Sequence, residues 1–238
     1  MLRRPRRDAG TLLLSARPRA LGPRAAAEGV GTALLVAIVV GSGIAAQRLS
    51  PHDTGLQLLE NALATGAGLA ALIVALGPVS GGHFNPVVTL ADRFLGGIPT
   101  RDATAYVAAQ MAGGCAGAVV ANLMFDLAPV AISTHQRSGG GMWLAEVVAT
   151  FGLLLVILGA VRSGQVAAVP FAVGAYIAAG YWFTQSTSFA NPAVTVARSL
   201  TDTFAGIRPS SVPPFVLAQL AGGCAAVAFA RYVHPEAP

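Results

Sequence analysis

Long apolar stretches alternate with short polar turns along most of the chain, and this alternation predicts the secondary structure. A helix that crosses a membrane needs roughly 20 consecutive apolar residues. Two apolar segments, at about 85–93 and 191–200, are too short to span a bilayer. Six stretches are long enough, and they cover about 25–47, 57–77, 103–125, 142–161, 167–185 and 211–232. The pattern therefore predicts an all-α membrane protein with six transmembrane helices and two shorter helical segments.

Each short segment begins with the same dipeptide, Asn-Pro, at residues 85–86 and 191–192. Asn is a favoured helix N-cap, and Pro fits the first helical turn because the N–H that it lacks would have no partner there. A helix that begins at membrane depth leaves backbone N–H groups unpaired, which is tolerated only beside a water-filled cavity or inside protein. The two segments are therefore expected to be re-entrant half-helices that meet head to head around one pore.

The two halves of the chain repeat the same order of polar residues. Each half has a Glu near its start, an Asn-Pro in its middle and a Gln-x-x-Gly-Gly sequence in its last span. These residues are Glu28, Asn85 and Gln110 in the first half, and Glu146, Asn191 and Gln219 in the second. Three spans per half is an odd number, so the halves cross the membrane in opposite directions. The pattern predicts an inverted repeat, 25–125 and 142–232, in one domain at 25–232, with a site near the midplane where the broken helices meet.

The low charge content agrees with a membrane location. Of the 238 residues, 54% are hydrophobic and 11% are charged, whereas a soluble domain usually carries about 25% charged residues. All 15 basic residues are Arg. Those that precede the first span are Arg3, Arg4, Arg6, Arg7, Arg17, Arg19 and Arg24. By the positive-inside rule, this run predicts a disordered cytoplasmic tail at 1–24 rather than a nucleic-acid-binding patch.

The remaining Arg residues support the same orientation. With the N-terminus inside, Arg93, Arg101, Arg162 and Arg231 fall on the cytoplasmic side, and Arg48, Arg137 and Arg208 fall in outer loops. Six spans return the chain to the cytoplasm, which predicts a second cytoplasmic tail at 233–238. The distribution predicts a multi-pass protein of the inner or plasma membrane, surrounded by lipid bilayer, with both termini in the cytoplasm.

Two acidic residues inside spans, Glu28 and Glu146, are candidate functional groups because an intramembrane acid is a functional hypothesis by default. A proton-coupled transporter would use such acids. Their matched positions instead favour a scaffold role, in which each carboxylate accepts hydrogen bonds from the N–H groups of its own loop. The spans contain no nucleophile–base pair and no metal-ligand cluster, and Cys115 and Cys224 are interpreted as small packing residues. We therefore expect no enzyme, no cofactor and no metal.

The two Asn-Pro segments resemble those of a known channel family. Ser80-Gly81-Gly82-His83 before the first Asn-Pro, together with the second Asn-Pro, resembles the paired signatures of the aquaporins and aquaglyceroporins over about 24–232. The resemblance implies a homotetramer with one pore per subunit, and it gives Glu28 and Glu146 the scaffold role. It also implies that the pore centre is formed by Asn85, Pro86, Val87, Asn191, Pro192 and Ala193.

The same resemblance assigns the lining of the pore. It implies a ladder of backbone carbonyls from Gly81, Gly82, His83 and Phe84 in the first loop and from Thr187, Ser188, Phe189 and Ala190 in the second. A neutral solute with several hydroxyls exchanges its water shell for this ladder, whereas an ion cannot. The N-termini of the half-helices add positive potential that repels cations and protons. His83 is interpreted as a residue that fixes the loop, with a titrating gate as the alternative.

The outer constriction departs from the family pattern. Most members place Arg directly after the second Asn-Pro-Ala, and here that position is Val194. Thr65 and Ser188 correspond to two other constriction positions. The fourth is Gly180 or Tyr181, because the loop is one residue short. Gly180 would leave a wide and uncharged filter, and Tyr181 would restore some of the narrowing.

Arg198 lies four residues after Val194, on nearly the same helical face. Its Cα is expected about 6 Å farther outward, and long helical side chains lean back toward the N-terminus. One hypothesis therefore places its guanidinium at the constriction, and the other has it pair with Asp202 or with a carbonyl in the outer vestibule. Asp92 is its counterpart in the first repeat, and we expect it at a helix end that faces the cytoplasm.

The segment from Ser188 to Arg198 is similar to a bacterial branch of the family that is associated with arsenic-resistance genes, in which Val replaces the filter Arg. That branch implies passage of trivalent arsenic, because arsenous acid is neutral, carries three hydroxyls and imitates glycerol. The sequence predicts a passive channel for glycerol-like polyols, arsenite or other metalloid hydroxides, and water. The alternatives are a water-selective pore with Arg198 restoring the filter, and a proton- or ion-coupled secondary transporter that uses Glu28 and Glu146.

Overall fold

A computed structural model describes residues 20–233 as a bundle of helices. The greater part of the predicted N-terminal tail, and all but the first residue of the predicted C-terminal tail, lie outside that range. In chain order the helices are α1 (Leu21–Leu49), α2 (Thr54–Ser80), α3 (Pro86–Phe94), α4 (Thr100–Met124), α5 (Gly140–Arg162), α6 (Val169–Phe183), α7 (Pro192–Ala197) and α8 (Val212–Val233).

Six of these helices are long and apolar enough to cross a membrane, and they match the six predicted spans. The predicted architecture, six spans with two short helices between them, is confirmed. The first span begins earlier than expected, because α1 starts at Leu21. Residues 21–24, which we had predicted as tail, are therefore helical. The Arg24 guanidinium forms an ion pair with the Asp102 carboxylate of α4, at 2.6 Å, which ties this first turn to the bundle.

Close helix crossings depend on small residues at equivalent places in the two halves. A side chain on Gly113 of α4 would collide with the α1 backbone at Gly29, and a side chain on Gly222 of α8 would collide with the α5 backbone at Val147. Small residues at such crossings let helix backbones approach closely in a bilayer, where no hydrophobic effect draws helices together. These two glycines therefore allow α1 to cross α4 closely and α5 to cross α8 closely, while the neighbouring Gly114 and Gly223 face Ala193 of α7 and Val87 of α3.

The even number of spans puts both described ends of the chain on one side of the bundle, which we call the termini side. The opposite side, which we call the loop side, carries the α4–α5 connection, residues 125–139. That connection is held against the segment after α7 by backbone hydrogen bonds from Ala131 to Leu200 and from Ser133 to Ser199, both 3.0 Å. The α4–α5 connection thus covers the loop-side end of the bundle and reaches the neighbourhood of α7.

Candidate pore

Both half-helices begin in the way that the Asn-Pro dipeptide predicts. The Asn85 side chain accepts a hydrogen bond from the Val87 N–H at 2.9 Å, and the Asn191 side chain accepts one from the Ala193 N–H at 3.0 Å. Pro follows each cap in the first helical turn. Each Asn oxygen therefore pairs with a backbone donor at the start of its helix, and its amide nitrogen is left to point across the centre of the bundle.

The two N-termini meet through a reciprocal pair of hydrogen bonds. The Asn85 amide donates to the Ala190 carbonyl at 2.7 Å, and the Asn191 amide donates to the Phe84 carbonyl at 2.8 Å. The N-cap Asn of each half-helix thus binds a carbonyl of the loop that precedes the other half-helix. An amide nitrogen carries two N–H donors, so each Asn retains a second donor after this contact. The Asn-Pro segments lie head to head, with donors concentrated where they meet.

The loops before the two half-helices share an unusual backbone conformation. The torsion φ is positive at three equivalent positions in each loop: Gly81, Gly82 and Phe84 in the first, and Thr187, Ser188 and Ala190 in the second. A residue other than Gly in this region costs of order 1–3 kcal/mol and persists only where its surroundings hold it. The backbone of each loop is therefore fixed by contacts from outside the loop.

Those contacts come from the two buried carboxylates. The carboxylate of Glu28 accepts hydrogen bonds from the His83 N–H at 3.0 Å and the Phe84 N–H at 2.7 Å. The carboxylate of Glu146 accepts from the Phe189 N–H and the Ala190 N–H, both at 2.9 Å. A charge-assisted hydrogen bond is roughly twice as strong as a neutral one. Each acid thus ties down the N–H groups of its loop and turns the adjacent carbonyls away from itself.

The repeated Gln residues complete both arrangements. Gln110 donates to the Glu28 carboxylate at 2.7 Å and to the Thr89 hydroxyl at 2.9 Å. Gln219 donates to Glu146 at 2.6 Å and to Thr195 at 2.8 Å. The Gln therefore links the acid of one helix to the half-helix that follows the loop. The sequence showed that these Gln residues recur but did not assign them this role.

A narrow cavity passes the junction of the two half-helices, with a volume of about 50 Å³. At about 10–15 Å³ for each water-sized molecule, it holds roughly four such molecules. Its polar wall comes from the two loops and both caps: Gly82, His83, Phe84, Asn85, Ser188, Phe189, Ala190 and Asn191. Gly81 and Thr187 do not line it. The facing wall is apolar, formed by residues such as Leu35, Val88, Leu153 and Ile177.

The structure brings five of the six predicted filter residues to the cavity, and one of them, Arg198, is described below. Thr65, Tyr181, Ser188 and Val194 line it, and the hydroxyls of Thr65 and Tyr181 lie 3.1 Å apart. Gly180 does not line it, because this residue faces the Ser188 side chain, which a Cβ on Gly180 would strike. Of the two positions left open by the sequence, Tyr181 is therefore the one at the cavity. An aromatic ring narrows the space that Gly180 would have left open.

Arg198 combines parts of the two hypotheses that the sequence left open. It lines the cavity and is 2% exposed. Its Nε donates to the Ala205 carbonyl, and its guanidinium carbon lies 3.4 Å from the centre of the Phe189 ring. The predicted pairing with Asp202 is not seen, because that carboxylate accepts hydrogen bonds from Thr134 instead, including one from its N–H at 2.8 Å. A carbonyl anchors Arg198, and the guanidinium remains at the cavity.

Arg137 is a residue that the sequence placed in an outer loop without a role. Its Nε donates to the Gly206 carbonyl at 2.9 Å, and its guanidinium carbon lies 5.1 Å from the centre of the same Phe189 ring. Burial lowers the pKa of Arg137 from its usual value, but an Arg side chain stays protonated in proteins. Its position depends on the course of the α4–α5 connection, which carries no periodic signal.

Asp92 corrects a further expectation. It lies in the last turn of α3, as expected for a helix-end residue, but it is buried rather than exposed, and its Oδ2 lies 3.5 Å from Nε2 of His83. The other ring nitrogen of His83, Nδ1, lies 3.0 Å from the Thr89 hydroxyl. Tyr106 packs edge-on against the His83 ring. His83 is held from three sides, as a loop-fixing residue would be, and the residue also lines the cavity.

Comparison with known proteins agrees with this geometry. The model of the family described as major intrinsic protein matches residues 19–188. The chain is 53% identical over 216 residues to the aquaglyceroporin AqpS of Rhizobium meliloti (strain 1021), which covers 90% of this chain and 92% of that protein. It is also 34% identical over 172 residues to the aquaporin NIP1-4 of Oryza sativa subsp. japonica, covering 69% of this chain and 61% of that protein.

The fold also matches a solved channel. The X-ray structure of the aquaglyceroporin from Plasmodium falciparum superposes with a TM-score of 0.70 over 91% of this chain and 98% of that one, at 19% sequence identity. The protein is accordingly a multi-pass membrane channel for small solutes and not an enzyme, as the sequence predicted. A family match over most of the described residues and 53% identity over nearly the whole chain show that the chain belongs to the major intrinsic protein family.

Proposed function

We propose that this protein is a passive channel of the aquaglyceroporin type for small neutral solutes: glycerol-like polyols, arsenous acid or other metalloid hydroxides, and water. The observation that carries the proposal is the lining of the cavity, to which Val194 contributes a short apolar side chain and Thr65 and Tyr181 contribute hydroxyls. A solute with several hydroxyls finds donors and acceptors along one wall and an apolar surface along the other.

The fixed hydrogen-bond donors and acceptors of the cavity support the proposal that the permeating solutes are neutral. The caps supply the amide donors of Asn85 and Asn191, and the two loops supply backbone groups on the same side. An arrangement of this kind replaces the few hydrogen bonds of a polyol but not the full hydration shell of an ion. The half-helix N-termini add positive potential at the junction, which opposes cations and protons.

A water-selective pore is the second candidate, because Arg198 lies at the cavity and Tyr181 narrows it. The contact of 3.1 Å between the Tyr181 and Thr65 hydroxyls leaves less room for a polyol than a Gly at the fourth position would have left. The two candidates therefore differ in one property, the width that Val194 and Tyr181 leave between them.

A coupled transporter has less support. Its candidate acids, Glu28 and Glu146, are fully buried and accept hydrogen bonds from backbone N–H groups and from Gln side chains. An acid that carries protons through a membrane must release these partners in every cycle. We propose the scaffold role for both residues, with the loop carbonyls as the groups that meet the solute.

We also propose that the termini side faces the cytoplasm of a bacterial cell and that the channel is a homotetramer in the inner membrane. Arg231 donates to the Phe94 carbonyl, at 2.7 Å, and Arg162 to the Ala230 carbonyl, at 2.6 Å, on the termini side, where the positive-inside rule expects basic residues. Native mass spectrometry tests the tetramer, and labelling of single-Cys variants in closed vesicles tests the orientation.

The deciding experiment compares arsenite flux with water flux in proteoliposomes that contain the purified protein. Fast, non-saturating entry of arsenite and glycerol supports the wide channel, whereas fast water flow without either solute supports the water-selective one. Uptake against a concentration gradient would contradict both. Tyr181→Ala should raise glycerol flux in either case, and Tyr176→Ala is the matched control, since that Tyr lies on the same helix but not at the cavity.

A further inference from the structure

Two guanidinium groups share one aromatic ring at the loop-side end of the cavity. The ring belongs to Phe189, two residues before Asn191, and the groups come from Arg198 after α7 and Arg137 in the α4–α5 connection. Their carbons lie 3.4 and 5.1 Å from the ring centre. The two charges are therefore separated by no more than roughly one Debye length, about 8 Å at physiological ionic strength.

Three consecutive carbonyls hold both guanidinium groups in place. Arg137 donates to the carbonyls of Phe204 and Gly206, at 3.3 and 2.9 Å, and Arg198 donates to that of Ala205 between them. Two long side chains are thus ordered before any solute arrives. Like charges are held near each other only where fixed dipoles compensate them, and these carbonyls supply that compensation.

No carboxylate neutralises the pair within ion-pair distance. Among residues 20–233, the ion pairs within 4.0 Å join Arg24 to Asp102, His83 to Asp92 and His135 to Asp202. The Arg198 hydrogen bond described above uses Nε, so the two terminal amino groups of this cavity-lining residue are not engaged by that bond. The positive charge at this end of the cavity is therefore held by carbonyl dipoles, and the buried acid that attracts both guanidinium groups, Glu146, does so only from beyond ion-pair distance.

We propose that Arg137 is a specificity-determining residue of the channel. With Arg198 it forms a pair of guanidinium groups on Phe189 that excludes cations at the loop-side end, while Val194 leaves that end wide enough for neutral solutes. Arg198 contacts the cavity directly, and Arg137 acts from the loop by adding a second charge and by holding the Phe204 and Gly206 carbonyls. The inference rests on the proposed function, since it assumes that neutral solutes pass.

The size of the effect follows from the distances. At an effective dielectric constant of about 20, a unit charge about 8 Å from a permeating cation changes the cation's barrier by the equivalent of roughly thirtyfold in rate. Salt screening reduces this figure at the mouth of the cavity. Removing the Arg137 charge should therefore raise cation permeability by about tenfold, and removing both charges by about a hundredfold.

Guanidinium and urea are suitable probes, because they have nearly the same planar shape and differ in charge. Flux of each into proteoliposomes is measured for the wild type, for Arg137→Gln, for Arg198→Gln and for the double variant. The expected result is a guanidinium-to-urea permeability ratio that rises about tenfold in Arg137→Gln and about a hundredfold in the double variant. In Arg137→Gln, whose altered side chain does not line the cavity, urea and water flux are expected to stay within about twofold of the wild type.

Two further variants separate charge from structure. Arg137→Lys keeps the charge but loses the planar fork that reaches two carbonyls, so its ratio should stay near that of the wild type. Arg208→Gln removes an exposed Arg on the same side of the bundle and should leave the ratio unchanged. If Arg198→Gln does not insert or fold, Arg137→Gln and Arg137→Lys still decide the question.

Several outcomes would overturn the inference. An unchanged ratio in Arg137→Gln and in the double variant, with urea flux intact, would show that the pair does not select. An equal rise in Arg137→Gln and Arg137→Lys would show that the residue only holds the loop. Failure of the proposed function would look different, because the wild type would then conduct neither urea nor glycerol, and the inference would fall with it.

Discussion

Glu146→Gln is the most direct test of the scaffold role, because Gln has the same shape as Glu but only one acceptor atom. In the wild type one carboxylate oxygen accepts from the Phe189 N–H, and the other accepts from the Ala190 N–H and from Gln219. Whichever way the new amide turns, its NH2 group faces at least one of these donors. If the oxygen of the new amide faces Ala190 and Gln219, the Phe189 N–H is left buried and without an acceptor.

The magnitude can be worked from these contacts. A hydrogen bond to a charged group contributes about 1.5–3 kcal/mol, and a buried donor without a partner costs about 1–3 kcal/mol. We expect Glu146→Gln to lower the free energy of unfolding by about 2–3 kcal/mol. The residues at positive φ in this loop, Ser188 and Ala190 among them, store about 1–3 kcal/mol each. The lost support is comparable with this strain, so the loop should relax and its carbonyls should leave the pore wall.

Two assays check the expectation. Neutral-solute flux in proteoliposomes should fall about tenfold, and the apparent melting temperature in detergent should fall by roughly 5–10 °C, at about 2–4 °C per kcal/mol for a chain of this size. Glu28→Gln should behave alike, since Glu28 holds the other loop. Glu60→Gln is the control, because this acid of α2 accepts a hydrogen bond from Ser50 and does not contact a pore loop. Flux and melting temperature equal to the wild type in Glu146→Gln would refute the scaffold role.

Three further predictions follow from the same geometry. Val194→Arg should lower glycerol flux by about tenfold while water flux persists; equal glycerol flux in both proteins would remove Val194 from the constriction. Asn191→Asp should impair neutral-solute flux by at least about tenfold, because a carboxylate would replace the amide that donates to the Phe84 carbonyl, and unaltered flux would argue that this Asn does not border the pore. The Thr134 N–H bond lowers the pKa of Asp202, so the stability from this contact is present above the ordinary pKa and lost as the pH falls below about 4. The protection of amides 131–135 against hydrogen exchange, taken relative to their intrinsic rates at each pH, should fall there in the wild type but stay constant in Asp202→Asn.

Much of the architecture could be predicted because it depends on short-range signals. Span length is a property of one stretch of sequence, and an Asn cap followed by Pro is a property of one dipeptide. The recurrence of Glu28 and Glu146 in equivalent spans was enough to suggest that each serves its own loop. The carboxylate contacts in both loops show the geometry that this reasoning requires.

The remaining features depend on tertiary structure that no local pattern encodes. Near the end of α6, Gly180 faces the Ser188 side chain and Tyr181 faces the cavity. Counting residues along a loop of variable length cannot decide which of two neighbouring residues faces the cavity. Arg137 reaches Phe189 only because residues 125–139 fold back over the loop side. Asp92 looked like a surface residue at a helix end, yet α3 is short enough for its last turn to stay inside the bundle.

The inverted repeat gives the two ends of the pore the same backbone and different charges. Counted from the two Asn caps, His83 is equivalent to Phe189 and Asp92 to Arg198, and both pairs are in contact. On the termini side an acid lies against an imidazole, and on the loop side a guanidinium lies against a phenyl ring. The contacts of Glu28 and Glu146 with their loops, and the hydrogen bonds between the two Asn residues and the opposite loops, occur in both repeats and form the pore. The residues that break the repeat lie on either side of the symmetric centre, toward the two ends of the pore. Their opposite charges make the two entrances chemically distinct, so selection against ions should be decided at the loop-side entrance rather than at the symmetric centre.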